Sequence, residues 1–164
     1  NIKSGRSGII EQFMISLATY DDIIEIVSIY HRLAGTPGCT WDLHYPSKET
    51  AENDIKNGWL YTLKKNDKIV AVASVGDFDE LSDLQWNQKT CEMARIGVGP
   101  SFQKQGIRPV ILKNIIGTAK EKGYDGIRML VSKTNTAALA LYGKNGFERC
   151  GEVFSYPLTC FHMS

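Results

Sequence analysis

A glycine-containing turn between a predicted strand and a predicted helix carries the clearest chemical signal in the chain. It spans residues 103–108, QKQGIR, and follows the strand end Val98-Gly99-Pro100. Consecutive backbone N–H groups at such a turn, backed by the positive end of a helix dipole, suit an anion such as a pyrophosphate. Gly106 allows close approach because it has no Cβ, and Lys104 and Arg108 add positive charge. The alternative is an ordinary strand–turn–helix connection in which the glycine serves only the local backbone.

A predicted helix further along the chain carries a second candidate group. Asn135 and Tyr142 are seven residues apart, which is two helical turns, so both side chains project from one face with Ala138 between them. The small side chains of this helix leave room for a long, thin ligand, and the phenol of Tyr142 at the far end can donate a proton to a leaving group. The alternative is that Tyr142 only packs against the core.

The elements that must position these two groups follow from hydrophobic periodicity and from turn residues. Acids after Thr19 indicate a helix start, and the polar turn 65–67 indicates a hairpin. The alternation of elements favours a mixed α/β domain around one sheet. The predicted order is a strand in 9–18, helices 19–34 and 47–57, strands 59–64, 68–76 and 91–98, a helix 105–122, a strand 127–131, a helix 135–144, and strands 147–150 and 158–163.

Composition and charge exclude several classes of protein. The chain has 164 residues, 19 of them basic and 18 acidic, for a net charge of +1; this suits one domain and argues against a nucleic-acid binder. No apolar run approaches the ~20 residues of a membrane span, and the N-terminus lacks the apolar region of a signal peptide. We therefore expect a soluble, cytoplasmic protein without nucleic-acid or membrane partners, in which residues 1–13 are a leader or an added extension.

The cysteines and histidines are scattered along the chain. They form no CxxC pair and no zinc-binding spacing: the positions are Cys39, Cys91, Cys150, Cys160, His31, His44 and His162. Free thiols in a reducing compartment are the expected state. We predict neither a structural metal nor a disulfide.

Together, the turn and the later helix resemble two motifs of the GNAT superfamily of acetyl-CoA-dependent N-acetyltransferases. That family places Gln/Arg-x-x-Gly-x-Gly/Ala after a strand and Val-x-Pro, and residues 98–108 are similar to this pattern. Its later pattern, Asn-x-x-Ala-x-x-x-Tyr followed by Gly-Phe, resembles residues 135–142 and 146–147. One position departs, since Arg108 stands where the family has Gly or Ala. Its side chain either crowds the pyrophosphate or, pointing outward, supplies it with charge.

The resemblance implies a fold and a set of cofactor contacts. The fold is a single domain, residues 14–164, of mixed α/β (α+β) class, with a mixed, mostly antiparallel, twisted sheet of about seven strands and about four flanking helices. In this family the fourth strand splays from its neighbour and pairs with the pantetheine arm of acetyl-CoA like an extra strand, a role that falls here to Ile96 and Val98. The implied acetyl-CoA contacts are Ile96, Gly97, Val98, Gln103, Lys104, Gln105, Gly106, Ile107, Arg108, Asn135, Ala138 and Tyr142.

The resemblance also implies a mechanism in which the amine attacks the thioester directly, so that no nucleophilic residue is needed. Tyr142 is the implied general acid for the coenzyme A thiolate. Glu92 is the implied base that takes a proton from the ammonium, directly or through water. The alternative for Glu92 is that it ends a strand or pairs with Arg95.

The sequence gives less information about the amine that accepts the acetyl group. The loops that hold it in this family carry acidic and aromatic residues here, including Trp41, Tyr45 and Trp86. Such residues receive a cationic amine through ion pairing and cation–π contact, unless they are solvated or serve packing. A small-molecule amine and a peptide amine fit equally well. An exposed edge strand near the C-terminus favours a homodimer.

The leading hypothesis is therefore an N-acetyltransferase that uses acetyl-CoA and needs no metal. The alternative is a non-catalytic acyl-CoA-binding regulatory module with the same fold. Arg108 favours the module, whereas the presence of the motif residues Gln103, Gly106, Asn135 and Tyr142 favours the enzyme. A flavodoxin-like nucleotide binder is disfavoured by the hairpin that precedes the turn.

Overall fold

The computed structural model of the chain describes residues 2–3, 10–11, 13–78, 89–153 and 156–163. Its α-helices are α1 (Ile23–Leu33), α2 (Lys48–Lys56), α3 (Ile107–Glu121) and α4 (Thr136–Lys144). Within these ranges no helix is both long and apolar enough to cross a membrane. The strands are β1 (Ile2–Lys3), β2 (Ile10–Glu11), β3 (Phe13–Leu17), β4 (Leu60–Lys65), β5 (Lys68–Gly76), β6 (Thr90–Val98), β7 (Gly126–Leu130), β8 (Glu148–Val153) and β9 (Tyr156–His162).

Seven of these strands form one twisted sheet in the order β3-β4-β5-β6-β7-β9-β8. Neighbouring strands run antiparallel except for β6 and β7, which are parallel. The predicted fold class, a mixed and mostly antiparallel sheet of about seven strands with four helices, is thereby confirmed. From β3 onward the order of helices and strands also agrees with the prediction, apart from shifts at their ends.

The sheet carries a hydrophobic core on each face. Side chains of α3 and α4 pack into the cluster on one face, and side chains of α1 and α2 into the cluster on the other. The central strand β5 contributes to both, with Val70 and Ala71 in the first cluster and Ile69 and Val72 in the second. A strand that is buried on both faces has apolar residues at consecutive positions instead of alternating ones. The sequence of β5 has this continuous apolar pattern.

Local hydrogen bonds explain where the first two helices begin. The Thr19 N–H donates to Asp22 Oδ2 at 2.9 Å, just before α1. At the start of α2 the Thr50 N–H donates to Ser47 Oγ at 3.2 Å, and the Ser47 N–H donates to Thr50 Oγ1 at 3.1 Å. Such reciprocal bonds satisfy backbone N–H groups that have no hydrogen-bond partner within the helix at its first turn. The bonds between Ser47 and Thr50 also fix the C-terminal end of the segment between the two helices, residues 34–47, called the α1–α2 loop below.

The N-terminal strand is shorter than the predicted strand 9–18. Residues 13–17 pair with β4 as the edge strand β3, beginning with Phe13 opposite Lys65. Residues 10–11 pair instead with residues 2–3, outside the main sheet. Apolar composition alone does not reveal which part of such a run finds a partner strand.

The C-terminal hairpin corrects another expectation, because Cys150 and Cys160 form a disulfide. The prediction of no disulfide was therefore wrong. Their Cα atoms are 6.0 Å apart, a separation typical of bonded cysteines, because β8 and β9 lie side by side. The register of the two strands shifts between Arg149 and Gly151, and spacing along the sequence gives no indication of that shift. Cys39 and Cys91 are free thiols.

Candidate active site

The strand β6 separates from β7 part-way along its length. The two strands are in register from Thr90 opposite Gly126 to Glu92 opposite Arg128. Beyond that point β6 continues to Val98 along β5, whereas β7 continues along β9. A wedge-shaped gap therefore opens between β6 and β7, as expected for the fourth strand of the sheet.

A bulge bends β6 where the gap opens. Ala73 of β5 stands opposite two residues of β6, Arg95 and Ile96. Arg95 has a φ of 52°, in the left-handed region that side-chain-bearing residues seldom adopt. Such bulges increase local twist and re-aim side chains next to active sites.

The gap continues into a cleft of about 750 Å³, a volume in the range of small-molecule sites. Its walls are the free edge of β6, the turn before α3, the end of β7 and one face of α4, and the α1–α2 loop covers one side. Most of the predicted cofactor residues line it, namely Ile96, Val98, Gln103, Lys104, Gly106, Ile107, Arg108, Asn135, Ala138 and Tyr142.

The turn before α3 supplies backbone N–H groups at one end of this cleft. Lys104 and Gly106 have φ values of 61° and 76°, and no side chain in the described part of the chain caps α3. The N–H groups of Lys104 and Gly106 donate none of the turn and loop hydrogen bonds found there. Together with the first-turn donors of α3 they are backbone donors of the kind that suits an anion. A Cβ on Gly106 would meet no protein atom within 4 Å, so its positive φ is what requires glycine.

One face of α4 forms the opposite wall. Asn135 caps this helix, since its Oδ1 accepts the Ala138 N–H at 3.2 Å. Ala138 and Tyr142 follow on the same face and are almost completely buried. Gly38 of the α1–α2 loop packs so closely that a Cβ there would lie 3.3 Å from Asn135 Cγ. The loop and α4 therefore meet across the cleft.

Tyr142 and Arg108 lie together in the cleft. Burial raises the pKa of the Tyr142 phenol above its usual value, and the charge and hydrogen bond of Arg108 act in the opposite direction. Arg108 is half-buried in the first turn of α3. Arg108, which stands where the family pattern has Gly or Ala, thus lines the same cleft as the phenol that was predicted as the general acid.

A smaller cavity of about 200 Å³ adjoins the cleft where β6 and β7 part. Trp41 and Met93 line both spaces, and Glu92 and Tyr45 line the smaller one. Glu92 is 5% exposed. The structure therefore brings the predicted base and two of the predicted acceptor residues to the point where the parallel pairing of the two strands ends.

A buried ion pair supports this second cavity. Arg95 forms two hydrogen bonds with the Asp54 carboxylate of α2 and donates from Nη1 to Tyr45 Oη at 3.0 Å. The Ser74 hydroxyl also donates to Asp54, at 2.7 Å. Sequence reasoning missed Asp54. A signal existed, because Asp54 stands three residues after Ala51 on the inner face of a polar helix, where a carboxylate needs a cationic partner.

Two of the predicted cofactor residues, Gly97 and Gln105, do not line the cleft. Gly97 faces α1 and the α1–α2 loop, since a Cβ there would lie 2.7 Å from Leu33 Cδ1 and 3.3 Å from Trp41. Gln105 is exposed, and its amide donates to the Ser101 carbonyl at 3.2 Å. Trp86 lies outside the described residues.

Cys39, a free thiol, lines the cleft, and the thiol of Cys91, next to Glu92 in the chain, is buried and protonated. Burial raises its pKa to about 12, and a thiol in that state is a poor nucleophile. Across the described ranges, no group of three or more His, Cys, Asp or Glu side chains is placed to hold a metal ion.

Comparisons with known proteins agree with this geometry. The model of the acetyltransferase (GNAT) family matches residues 21–147. The mycothiol acetyltransferase of Renibacterium salmoninarum is 27% identical over 126 residues, which cover 70% of this chain and 37% of that protein. The chain spans less than two thirds of the length of the curated relatives that it matches, from 35% to 61%.

Two solved structures share the fold over nearly the whole chain. The PaiA N-acetyltransferase of Thermoplasma acidophilum, solved in complex with coenzyme A, has a TM-score of 0.73 at 17% identity, with 93% of this chain and 99% of that chain covered. The ribosomal-protein-S18-alanine N-acetyltransferase of Escherichia coli has a TM-score of 0.71 at 21% identity, with 93% and 95% covered.

Proposed function

Because the chain belongs to the acetyltransferase (GNAT) family, we propose that it transfers the acetyl group of acetyl-CoA to a primary amine by direct attack of the amine on the thioester. The observation that carries this proposal is the parting of β6 from β7 beside a turn rich in backbone donors. An open strand edge, an anion site and a buried phenol then line a single cleft.

The donor-binding residues follow from the walls of the cleft. Beyond Glu92 the edge of β6 has no pairing with β7, so the backbone of Ile96 and Val98 faces the space for a pantetheine arm. The Gln103 amide donates to the Val98 carbonyl at 3.3 Å, so the arm would share or displace that bond. The N–H groups of the turn 103–108 suit a pyrophosphate, and Lys104 adds charge there. The small side chain of Ala138 leaves space between α4 and the pantetheine arm. When bound, acetyl-CoA supplies an acetyl group activated as a thioester.

Tyr142 is the proposed general acid. Its hydroxyl lies in the same cleft as the β6 edge, and burial keeps the phenol protonated at neutral pH. A protonated phenol can supply the proton that a thiolate needs as it leaves.

Glu92 is the proposed general base. It lines the smaller cavity beside the cleft and ends the stretch in which β6 and β7 are paired. An ammonium must lose a proton before its nitrogen can attack, and a carboxylate in this place accepts that proton directly or through water.

The smaller cavity is the proposed entrance for the amine. Trp41 and Tyr45 line it together with Glu92, so aromatic faces and a carboxylate surround the path of a cation. Both a small-molecule amine and a peptide amine fit this description. We propose that the reaction takes place in the cytoplasm.

A homodimer through the edge of the sheet is a further part of the proposal. The strand β8 is last in the sheet order, and its side chains are exposed along most of its length. An open edge of this kind can pair with a second copy. Light scattering after size exclusion gives the mass of the particle directly. A mass equal to one chain at micromolar protein concentration would contradict the proposed homodimer.

The test of the proposed function combines binding with turnover. Acetyl-CoA at one hundred times its Kd should stabilise the protein by about 2.7 kcal/mol, seen as a higher Tm. Free thiol should then appear with at least one member of an amine panel of polyamines, amino acids and peptides with free N-termini. The absence of acetyl-CoA binding would refute the assignment.

The same experiment addresses the non-catalytic alternative, which Arg108 favours because a large side chain stands in the cleft. A binding module should show the shift in Tm, but no amine should cause the release of thiol from acetyl-CoA. Its background rate of thiol release should equal that of a Tyr142→Phe variant. Thiol release that depends on an amine and falls in the variant supports the enzyme.

A further inference from the structure

Tyr45 of the α1–α2 loop is 46% exposed, yet three hydrogen bonds fix its position. Its N–H donates to Asp42 Oδ1 at 2.9 Å, and its carbonyl accepts the Asp42 N–H at 3.0 Å. Its hydroxyl oxygen accepts a third bond, from Arg95 Nη1, at 3.0 Å. The residue is therefore held at its backbone and at the tip of its side chain, as a preorganised binding group is.

The guanidinium of Arg95 is itself held from two other directions. Nε and Nη2 donate to the two oxygens of the Asp54 carboxylate, at 2.8 and 3.0 Å. The guanidinium also lies over the ring of Phe78, with Cζ 5.0 Å from the ring centroid. These contacts fix the plane of the guanidinium, and with it the direction from which Nη1 meets the Tyr45 oxygen.

The chemistry of the two groups sets the direction of the hydrogen bond between Arg95 and Tyr45. A guanidinium has only N–H donors, whereas a phenol both donates and accepts. The Tyr45 oxygen must therefore accept, and its own proton remains for another partner. Within the described residues, the Tyr45 hydroxyl donates to no protein acceptor. The adjacent positive charge polarises the O–H bond, which makes the hydroxyl a better donor and a poorer partner for an ammonium.

The smaller cavity is the space that this proton can reach. Tyr45 and Glu92 both line it. Its volume of about 200 Å³ gives room for several water molecules, since each takes about 30 Å³ in the liquid. A molecule that contacts both groups there needs its two polar atoms only a few bonds apart. The carboxylate of Glu92 suits an amine or ammonium, and the hydroxyl of Tyr45 suits an oxygen that accepts a hydrogen bond.

We propose that Tyr45 is a specificity-determining residue, whose hydroxyl donates a hydrogen bond to an oxygen of the amine substrate. The substrate is then an amine with a carbonyl or carboxylate oxygen a few bonds from its nitrogen, as in an amino acid or a peptide N-terminus. The nitrogens of a polyamine are protonated at neutral pH and only donate, so a polyamine leaves the Tyr45 proton without a partner. This inference rests on the proposed function, because it names the substrate class of the same site.

The experiment is a cycle that removes the hydroxyl from the full-length chain and the oxygen from the substrate. Tyr45→Phe removes the hydroxyl and keeps the ring. The amines are offered in pairs, an amino acid amide with the amine that lacks its carboxamide group: alaninamide with ethylamine, leucinamide with 3-methylbutylamine, and phenylalaninamide with 2-phenylethylamine. Spermidine represents the polyamines. Free leucine and a peptide that begins with leucine distinguish a carboxylate oxygen from a peptide carbonyl.

Initial rates of thiol release from acetyl-CoA give kcat and KM for each amine. In the wild-type protein, the member of a pair that carries the carbonyl should have the higher kcat/KM. Tyr45→Phe should lower that value about 10-fold, mainly through KM, and should lower the value of the other member less than about 2-fold. The cycle cancels the difference in intrinsic reactivity between the two amines. Tyr20→Phe, at an exposed tyrosine that lines neither cavity, should leave all the rates unchanged.

Two results would overturn the inference and leave the proposed function standing. One is thiol release with spermidine or the alkylamines but with none of the amines that carry a carbonyl or carboxylate. The other is a Tyr45→Phe variant that affects both members of each pair equally or not at all; an equal loss would mean that the hydroxyl only holds Arg95 in place. Absence of acetyl-CoA binding would refute the proposed function, and binding without thiol release from any amine would favour the non-catalytic module. Either of these outcomes would overturn the inference as well.

Discussion

Arg95 contacts Asp54 at two points, with Nε 2.8 Å from Oδ2 and Nη2 3.0 Å from Oδ1. Both side chains are buried, at 7% and 1% exposed. Arg95 stands in the bulge of β6 with a positive φ, a conformation that costs about 1–3 kcal/mol and persists where surrounding contacts hold it. The pair therefore ties α2 to the point where β6 bends away from β7.

Replacing Asp54 with Asn should destabilise the protein strongly. The Arg95 charge would remain buried without its counterion, which costs about 3–5 kcal/mol and should lower Tm by about 10 °C. Glu52→Gln on the same helix is the control, because its contact with Lys48 is exposed and 3.9 Å long. Urea unfolding measures both variants, and equal midpoints would contradict the structural role of the pair.

Replacing Tyr142 with Phe should lower kcat about 100-fold or more, because a general acid contributes at least that much. The KM for acetyl-CoA should change little, since the ring remains in place. Initial rates of thiol release give both constants. Tyr20→Phe, at a tyrosine that is 58% exposed, should behave as wild type. A Tyr142→Phe variant with unchanged kcat would remove the residue from the role of acid.

Replacing Gly106 with Ala should raise the KM for acetyl-CoA about 10-fold, because the turn 103–108 must keep a left-handed residue to aim its N–H groups. Gly123→Ala is the matched control: Gly123 also has a positive φ, 84°, and open space around its Cα. Both variants should lose about 1–2 kcal/mol of stability. If both raise KM equally, the effect comes from general destabilisation and the phosphate assignment fails.

Replacing Glu92 with Gln should lower kcat/KM for the amine about 100-fold near neutral pH. The loss should shrink as the pH rises towards the pKa of the amine, because free amine then needs no base. A pH profile of kcat/KM tests this. The exposed Glu121, changed to Gln, should leave the profile alone, and a Glu92→Gln profile parallel to that of the wild type would argue against a base.

Asp22 should make stability depend on pH. Burial alone would raise the pKa of this carboxyl, but hydrogen bonds from Thr19 and Lys64 outweigh it and hold the pKa below its usual value. A lowered folded-state pKa gives stability that is present above the unfolded value of about 4 and is lost as the pH falls through the folded one.

Asp22→Asn should therefore reduce the free energy of unfolding at pH 7 by about 1–2 kcal/mol, and the difference from wild type should shrink below about pH 4. The neighbouring Asp21 is exposed, so Asp21→Asn should show no such change. Denaturant unfolding at both pH values measures the effect. A difference that grows in acid would contradict the assigned sign.

Local patterns were enough to predict the parts of the site that depend on local geometry. The turn before α3 follows from glycine and strand-end residues, and the face shared by Asn135, Ala138 and Tyr142 follows from helical spacing. The resemblance to a family added the splay of the fourth strand. These features need only the order of neighbouring residues along the chain.

The remaining features depend on how distant segments meet. Gly97 was predicted at the cofactor but packs against Leu33 and Trp41, which lie more than 50 residues earlier in the chain. Asp54 gained its role from a partner 41 residues away. The bond between Cys150 and Cys160 depends on the shifted register of a hairpin. Neither periodicity nor motif spacing contains this information.

The strands β6 and β7 are paired at only three residues, Thr90 to Glu92 of β6. The sheet therefore consists of two parts that are joined by this short parallel contact. In the proposed complex, a pantetheine arm along β6 would fill the gap between the two parts of the sheet with hydrogen bonds that the free protein lacks. Amide protons at Ile96 and Val98 should then exchange with solvent more slowly when acetyl-CoA is bound. In the proposed reaction, each release of coenzyme A would therefore reopen the gap between β6 and β7.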